Sequence, residues 1–233
     1  MARILLIDTS TAVLSVGLSV DGTVVEERIL TEARQQASRT APLVKEVLDA
    51  QGIGVKDCDA VCVGSGPGSY TGLRVGVSTA KGLAFGAHLP LLSVGTLDIL
   101  AAGVEDKESF RYIVPMIDAR RMEVYTAVYS SACEKIAPIR ALVVEENSFA
   151  DELSAGPVLF VGDGALKCEA VIRHENAHFR EAAPLVRNMA ALAQRAFDAG
   201  KFEDVAYFEP FYLKDFVATV SKKNLWEPLT APA

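Results

Sequence analysis

Two apolar runs that end in aspartate, RILLID at 3–8 and YIVPMID at 112–118, each begin the same succession of segments, and this repetition limits the fold more than any single motif does. Behind each run comes a stretch of alternating polarity, LSVGLSV (14–20) and EVYTAVYS (123–130). Apolar residues stand at matching offsets from the two aspartates: Leu14 and Leu18 after Asp8, Val124 and Val128 after Asp118. Alternation of period two marks a strand with one buried face, and an unbroken apolar run marks a strand covered on both faces. Each half then continues through a further strand, a helix, a short apolar strand ending in glycine, and another helix. The expectation is an α/β protein of two duplicated lobes of ~100 residues, within the usual domain range. The division falls at 1–105 and 106–215, with a loose tail over 216–233.

In the first half, Asp21-Gly22 joins LSVGLSV to TVVEERI as a hairpin turn. Ala37, Ala41, Val44, Val47 and Leu48 recur at helical spacing between Gln36 and Ala50. AVCVG (60–64) predicts a buried strand, a glycine-rich loop leads into a helix ending near Gly86, and PLLSVG (90–95) predicts another strand. TLDILAAGV is a further helix, with Thr96 as its N-cap. In the second half, ALVVEE (141–146) and VLFVGDG (158–164) predict strands and SFADELSAG a helix. Further helices are expected from Ala165 and over RNMAALAQRAFDAG (187–200), and the aromatic YFEPFYLKDF docks against the body of the protein.

Charge and cysteine content exclude several function classes. The chain carries 23 Lys and Arg against 30 Asp and Glu, a net charge of -7, and no basic cluster. Any RNA contact made by this chain alone is therefore expected to be weak. Cys58, Cys62, Cys133 and Cys168 complete no zinc set and read as reduced thiols of a cytosolic protein. MARILLIDTS lacks the composition of a secretory leader, and His88, Pro90 and Asp98 interrupt the longest greasy stretch, so no membrane span is expected.

Asp8 and Asp118, each at a strand end beside a tight turn, are expected to face a common cleft. That arrangement suits Mg²⁺ and phosphate, with Thr9, Ser10 and Thr11 adding hydroxyls. The alternative, that each aspartate caps its own turn, stays open. The second turn, DARRME (118–123), has no glycine and makes a poor phosphate cradle. The loop GSGPGSYTGLRVG from Gly64 has no lysine in the place a P-loop requires. Pro67 removes an N–H, and the following strand ends with no acid for a ribose. Its glycines find another use in the helix behind it. Gly72, Gly76 and Ala80, with Thr79 and Ala84 close by, form a ridge of small residues that another element can approach backbone to backbone. The chain's own sheet and a second subunit both remain open as that element. His174 and His178 form an H-x3-H with no third ligand nearby, best read as a solvated face.

The stretches MARILLIDTST, GSGPGSYTGLRVGVSTAKGLA, SVGTLDILA, PMIDARRMEVY and EPFYLKD, in that order, closely resemble the bacterial TsaB (YeaZ) family. The resemblance implies the actin-like ATPase (ribonuclease H-like) fold. It also implies a cytoplasmic subunit, not itself an enzyme, required for N6-threonylcarbamoyladenosine formation beside the tRNA anticodon. The implied partners are a TsaD-like catalytic subunit and a TsaE-like ATPase, with tRNA met only through the complex and self-pairing of the isolated chain on the same face. That face implies two helices of the first lobe, with Ala41, Val44, Leu48, Gly72, Leu73, Gly76, Thr79, Ala80 and Leu83 toward the partner. No tightly bound cofactor is implied. Nucleotide would be held weakly or at the partner junction, and Asp8, Thr9, Ser10, Thr11 and Asp118 would be a vestigial nucleotide turn. The chain departs from the family with Gln36 where relatives often have histidine and Met122 where they often have glycine. Two other classes stand beside this reading: a stand-alone small-molecule kinase or peptidase-like enzyme, and a homodimeric structural protein.

Overall fold

The computed structural model describes residues 1–32 and 35–214. The first sheet is built from β1 (Arg3–Asp8), β2 (Leu14–Val20), β3 (Thr23–Leu30), β4 (Ala60–Gly66) and β5 (Leu91–Gly95), in the order β3-β2-β1-β4-β5. Helices α1 (Gln36–Ala50), α2 (Tyr70–Ala87) and α3 (Thr96–Ala102) connect and follow them. The second sheet repeats this plan with β6 (Tyr112–Asp118), β7 (Glu123–Thr126), β9 (Arg140–Val143), β10 (Val158–Val161) and β11 (Ala177–Arg180), in the order β11-β10-β6-β7-β9. The short β8 (Tyr129–Ser130) pairs with β6; α4 (Ala150–Ala155) and α5 (Val186–Asp198) complete the chain. In each sheet the aspartate-ended strand pairs antiparallel with its hairpin partner on one side and parallel with a later strand on the other. The repetition read from the two aspartates is thus a repetition of topology.

The unbroken apolar runs are explained by cover on both faces. Leu5, Ile7, Val61 and Val63 pack with Leu43, Val47, Val77 and Ala80 of α1 and α2. Their neighbours Ile4, Leu6, Ala60 and Cys62 point the other way, into a cluster with Met189, Ala190 and Ala193 of α5. Meanwhile Leu97, Leu100 and Ala101 of α3 pack with Ile113, Ile117, Leu159 and Val161 of the second sheet. The division at 105/106 therefore holds for the order of the strands and not for the packing. Helix α3 lies on the second lobe's sheet, and α5 returns to the first, followed by an antiparallel bridge between Leu91 and Glu203.

Two local expectations are corrected. The N-cap of α3 is Gly95, and Thr96 is its first helical residue, with a buried hydroxyl that has no partner. The helix expected from Ala165 is a single 3-10 turn, Leu166–Cys168, because a second turn ends the segment there. His174 begins a turn closed by the Ala177 N–H on its carbonyl, and His178 lies in β11. The tail over 216–233 lies outside the described residues.

Exchange of α3 and α5 between sheets makes the lobes one cooperative unit. Leu100→Ala, which empties part of the second lobe's cluster from a first-lobe helix, should cost about 2–5 kcal/mol. In urea, far-UV circular dichroism and amide exchange of both sheets should keep one common, shifted transition. Two separate transitions would mean independently folding lobes.

Candidate functional site

The turn after β1 is where the phosphate cradle was expected, and the glycine-rich loop and α2 fill it. A Cβ at Gly68 would overlap the Ser10 carbonyl oxygen, one at Gly72 the Thr9 carbonyl oxygen, and one at Gly76 the Thr9 hydroxyl. Only residues without a side chain let these backbones meet. The contact is fixed by polar bonds: Thr9 Oγ1 donates to the Gly72 carbonyl at 2.7 Å, and the Ser69 N–H to the Ser10 carbonyl at 2.7 Å. Ser69 also caps α2, accepting from the Gly72 N–H. Asp8, Thr9 and Ser10 are fully buried, and Thr11 nearly so.

Of the two neighbours left open for the small-residue ridge, the chain's own is the one the structure shows, although it is the β1 turn and not the sheet itself. Gly72 and Gly76 receive the chain's own turn, while Leu73 and Ala80 are buried in the first lobe, as are Val44 and Leu48 of α1. These six residues are buried inside the fold and offer little surface to a partner. Of the nine residues read as partner-facing, Ala41, Thr79 and Leu83 keep exposed or half-exposed positions. The outward face of α2 carries instead Ser78, Gly82, Phe85 and Gly86, with Phe85 75% exposed and open space at both glycines. A groove of about 410 Å³ lined by Ala37, Tyr70, Arg74, Val75, Ser78 and Thr79 runs alongside.

The two aspartates do not share a cleft. Asp8 Oδ1 accepts from the N–H and the hydroxyl of Ser10, while Oδ2 is buried without a partner and lies where a Cβ at Gly64 would have to go. Burial pushes this carboxyl up to about 7, against the opposing pull of the Ser10 bonds. Asp118 lines a cavity of about 640 Å³ between the lobes. Its neighbour there is Asp163, from the GDG turn after β10, whose Oδ1 accepts from the Asp118 N–H at 2.9 Å. Desolvation in the cleft wall pushes the Asp163 carboxyl upward.

The second turn is filled by an ammonium group. Lys167 Nζ reaches Asp118 Oδ1 and the carbonyls of Arg121 and Glu123. Arg120 and Arg121 both adopt left-handed backbone, with φ of 72° and 51°, while Met122 is not among the positive-φ residues and packs on the second core. Nothing in the backbone therefore calls for a glycine at 122. Gln36, the other departure, donates from Nε2 to the carbonyls of Thr11 and Ala12 and so ties α1 to the first turn.

The aromatic segment docks across the cleft mouth. The Phe211 N–H donates to the Ser65 carbonyl, Lys81 Nζ holds the carbonyls of Ala206 and Phe208, and Tyr212 stacks on Tyr70 with centroids 4.8 Å apart. Lys214 then pairs with Glu123 of the second lobe. Sequence reasoning expected the aromatic segment to dock but not where, and it missed Asp163 and Lys167. The GDG turn was a readable signal for Asp163; the role of Lys167 and the docking place of the strap depend on contacts between residues far apart in the chain. Among the described residues no group of three side chains is placed to hold a metal, and no helix is long and apolar enough to cross a membrane.

A family model described as TsaD, tRNA N6-adenosine threonylcarbamoyltransferase, matches residues 23–222. The tRNA threonylcarbamoyladenosine biosynthesis protein TsaB of Escherichia coli is 35% identical over 226 residues, which are 93% of this chain and 96% of that protein. Its namesake in Bacillus subtilis is 34% identical over 162 residues, 68% of this chain and 70% of that one. Among solved structures, YeaZ from Pseudomonas aeruginosa superposes with a TM-score of 0.78 at 29% identity, covering 91% of this chain and all of the other.

Two outcomes follow from this packing. Gly76→Leu should fail to fold stably because its side chain collides with Thr9, while Gly82→Ala, in open space on the same helix, should gain up to ~1 kcal/mol from helix propensity. Equal urea midpoints for the two variants would refute the close approach. Asp8 binds its proton more tightly folded than unfolded, so it favours the native state fully below about pH 4. That contribution falls as pH rises toward 7, by about 4 kcal/mol at most. Asp8→Asn should therefore gain stability relative to the parent as pH climbs from 4 to 7, measured as the difference between urea midpoints; parallel pH profiles would refute it.

Proposed function

The chain belongs to the TsaB (YeaZ) family, and we propose that it serves N6-threonylcarbamoyladenosine formation in tRNA as a non-catalytic subunit that binds and activates a TsaD-like partner. The observation that carries the non-catalytic part is the filled phosphate turn. A nucleotide triphosphate needs free backbone N–H groups and a cation between two carboxylates. Here the first turn is covered by Gly68–Gly76, its aspartate faces Gly64, and the second turn is taken by Lys167. In the inter-lobe cleft Asp118 is already paired with Lys167, and Asp163 accepts from the Asp118 N–H, so neither carboxylate is left free to share a cation with Asp8.

The docking face is the outward side of α1 and α2, with Ala41, Thr79 and Leu83 kept from the sequence reading and Val75, Ser78, Gly82 and Phe85 added. Small residues beside one large exposed aromatic suit a helix pair that packs closely and buries Phe85. A TsaE-like ATPase joins that complex, nucleotide is held by the partners or at their junction, and tRNA is gripped through the partner's surface, since this chain's own charge of -7 opposes it. In the isolated chain the same face is available to a second copy.

Modification of tRNA by TsaD and TsaE, supplied with threonylcarbamoyl-AMP and ATP, should fall to background when this chain is left out. Ser78→Arg should abolish co-elution with TsaD and reduce modification to the same level while leaving the urea midpoint within about 0.5 kcal/mol of the parent, as for an exposed substitution. Undiminished modification without the chain would refute the reading, as would robust ATP turnover by the chain alone.

A further inference from the structure

On the side of the molecule where α3 and α5 cross between the sheets lies a second cavity, of about 390 Å³, with walls from both lobes. One face of α5 supplies Arg187, Asn188, Leu192 and Arg195; α3 and the residues after it supply Asp98 and Lys107; the turn at Cys133 closes the far side. This is independent of the inter-lobe cleft, with which it shares no lining residue.

The charges in this cavity are unevenly matched. Asp98 is already occupied, accepting from the Tyr129 hydroxyl at 2.8 Å and pairing with Lys135 at 3.2 Å. Arg187 is bound to Glu27 of β3. Among the described residues the side chains of Lys107 and Arg195 have no hydrogen-bond or ion-pair partner, although the chain as a whole has acid to spare. Two free cations gathered in one concavity focus a positive potential there. Asn188 adds a donor with a fixed place: its amide lies so close to Gly103 that a Cβ at 103 would overlap Nδ2. The Cys133 turn is fixed as well, with φ of 60° and its thiol donating to the Ala101 carbonyl.

We propose that this cavity binds a small phosphate ester, its phosphate held between Lys107 and Arg195 with Asn188 donating, and its carbon body against Ala102, Ala191 and Leu192. The guanidinium fork matches two phosphate oxygens, and the ammonium serves as a point charge for the third. The volume lies near the lower end for ligand pockets and fits a body of a few carbons beside one phosphate. Because its walls come from α3, α5 and the second lobe's turn, an occupant would bridge the two lobes behind the cleft.

The test is a titration of the full chain with glycerol 3-phosphate, followed by amide chemical shifts, with inorganic phosphate and glycerol as the comparison probes. Saturable shifts are expected at residues 102–107, 132–133 and 187–195. Glycerol 3-phosphate should bind more tightly than either probe. Lys107→Gln and Arg195→Gln should each weaken it by about tenfold or more, while Arg120→Gln in the cleft leaves it unchanged. The spectra of the variants show at once whether they are folded. Absence of saturation, affinity untouched by both variants, or shifts that map to the cleft and vanish with Arg120→Gln would overturn the proposal. Equal affinity for inorganic phosphate would overturn the assignment of an ester. None of these results depends on whether the chain pairs with a TsaD-like subunit.

Discussion

The meeting of the Thr9 backbone with helix α2 is the constraint from which most of this structure follows. An ordinary helix holds a neighbouring backbone at a distance set by its side chains, commonly 8–10 Å between helix axes. Here Gly68, Gly72 and Gly76 remove the side chains along one line, and the Thr9 and Ser10 carbonyls sit in the space left. Isolated glycines would cost the helix ~1 kcal/mol each relative to alanine. Bonds from Thr9 Oγ1 and the Ser69 N–H, made in a water-free contact, offset that loss. Seating α2 so deeply occupies the turn that a phosphate would need, and it also fixes which face of α2 looks outward. The filling of the turn and the exposure of the opposite side of α2 are thus two consequences of a single contact.

The second lobe arrives at a comparable end by different chemistry. Gly162 and Gly164 let the GDG turn close on the end of β6, and beyond it Lys167 places a positive charge among Asp118 Oδ1 and two carbonyls. A cation supplied by the chain itself satisfies oxygens that would otherwise be drawn toward solvent ions. Lys214 does the same for Glu123 at the end of the aromatic strap, so both ion pairs fall on the second lobe's side of the cleft. Part-exposed pairs of this kind contribute little individually. Their effect is to place charge rather than to stabilise the fold.

The sequence made the strands legible because burial on both faces leaves unbroken apolar runs, and the two aspartates marked where each run stops. The hairpin at Asp21-Gly22 and helices α1, α2 and α5 were legible for the same reason, periodicity with clear turn residues. What could not be read was direction. Gly72, Gly76 and Ala80 form the same stripe whether they receive a partner or the chain's own turn, and only the position of Thr9 decides between them. Val44 and Leu48 were likewise correctly apolar and wrongly turned outward. Helices α3 and α5 were assigned to the lobes their sequence positions suggest, because nothing local to Leu100 or Met189 records which sheet it covers. Asp8 was found as a strand-end acid, but its orphaned Oδ2 depends on Gly64 across the sheet, a distance that no spacing encodes.

The first sheet ties these features together. Its two faces carry different duties: α1 and α2 cover one side, and α5 with part of α3 covers the other. Side chains of β1 and β4 alternate between those faces, so each strand is in contact with both layers through successive residues. Val77 and Ala80 of α2 pack with Ile7 and Val63, and the alternate residues of the same two strands pack with Met189 and Ala193 of α5. Close-packed interiors leave little room for one layer to shift without the other. The outward side of α2 and the cavity beside α5 thus lie on the two opposite covers of one sheet, with the fully buried Asp8 at the end of a strand between them.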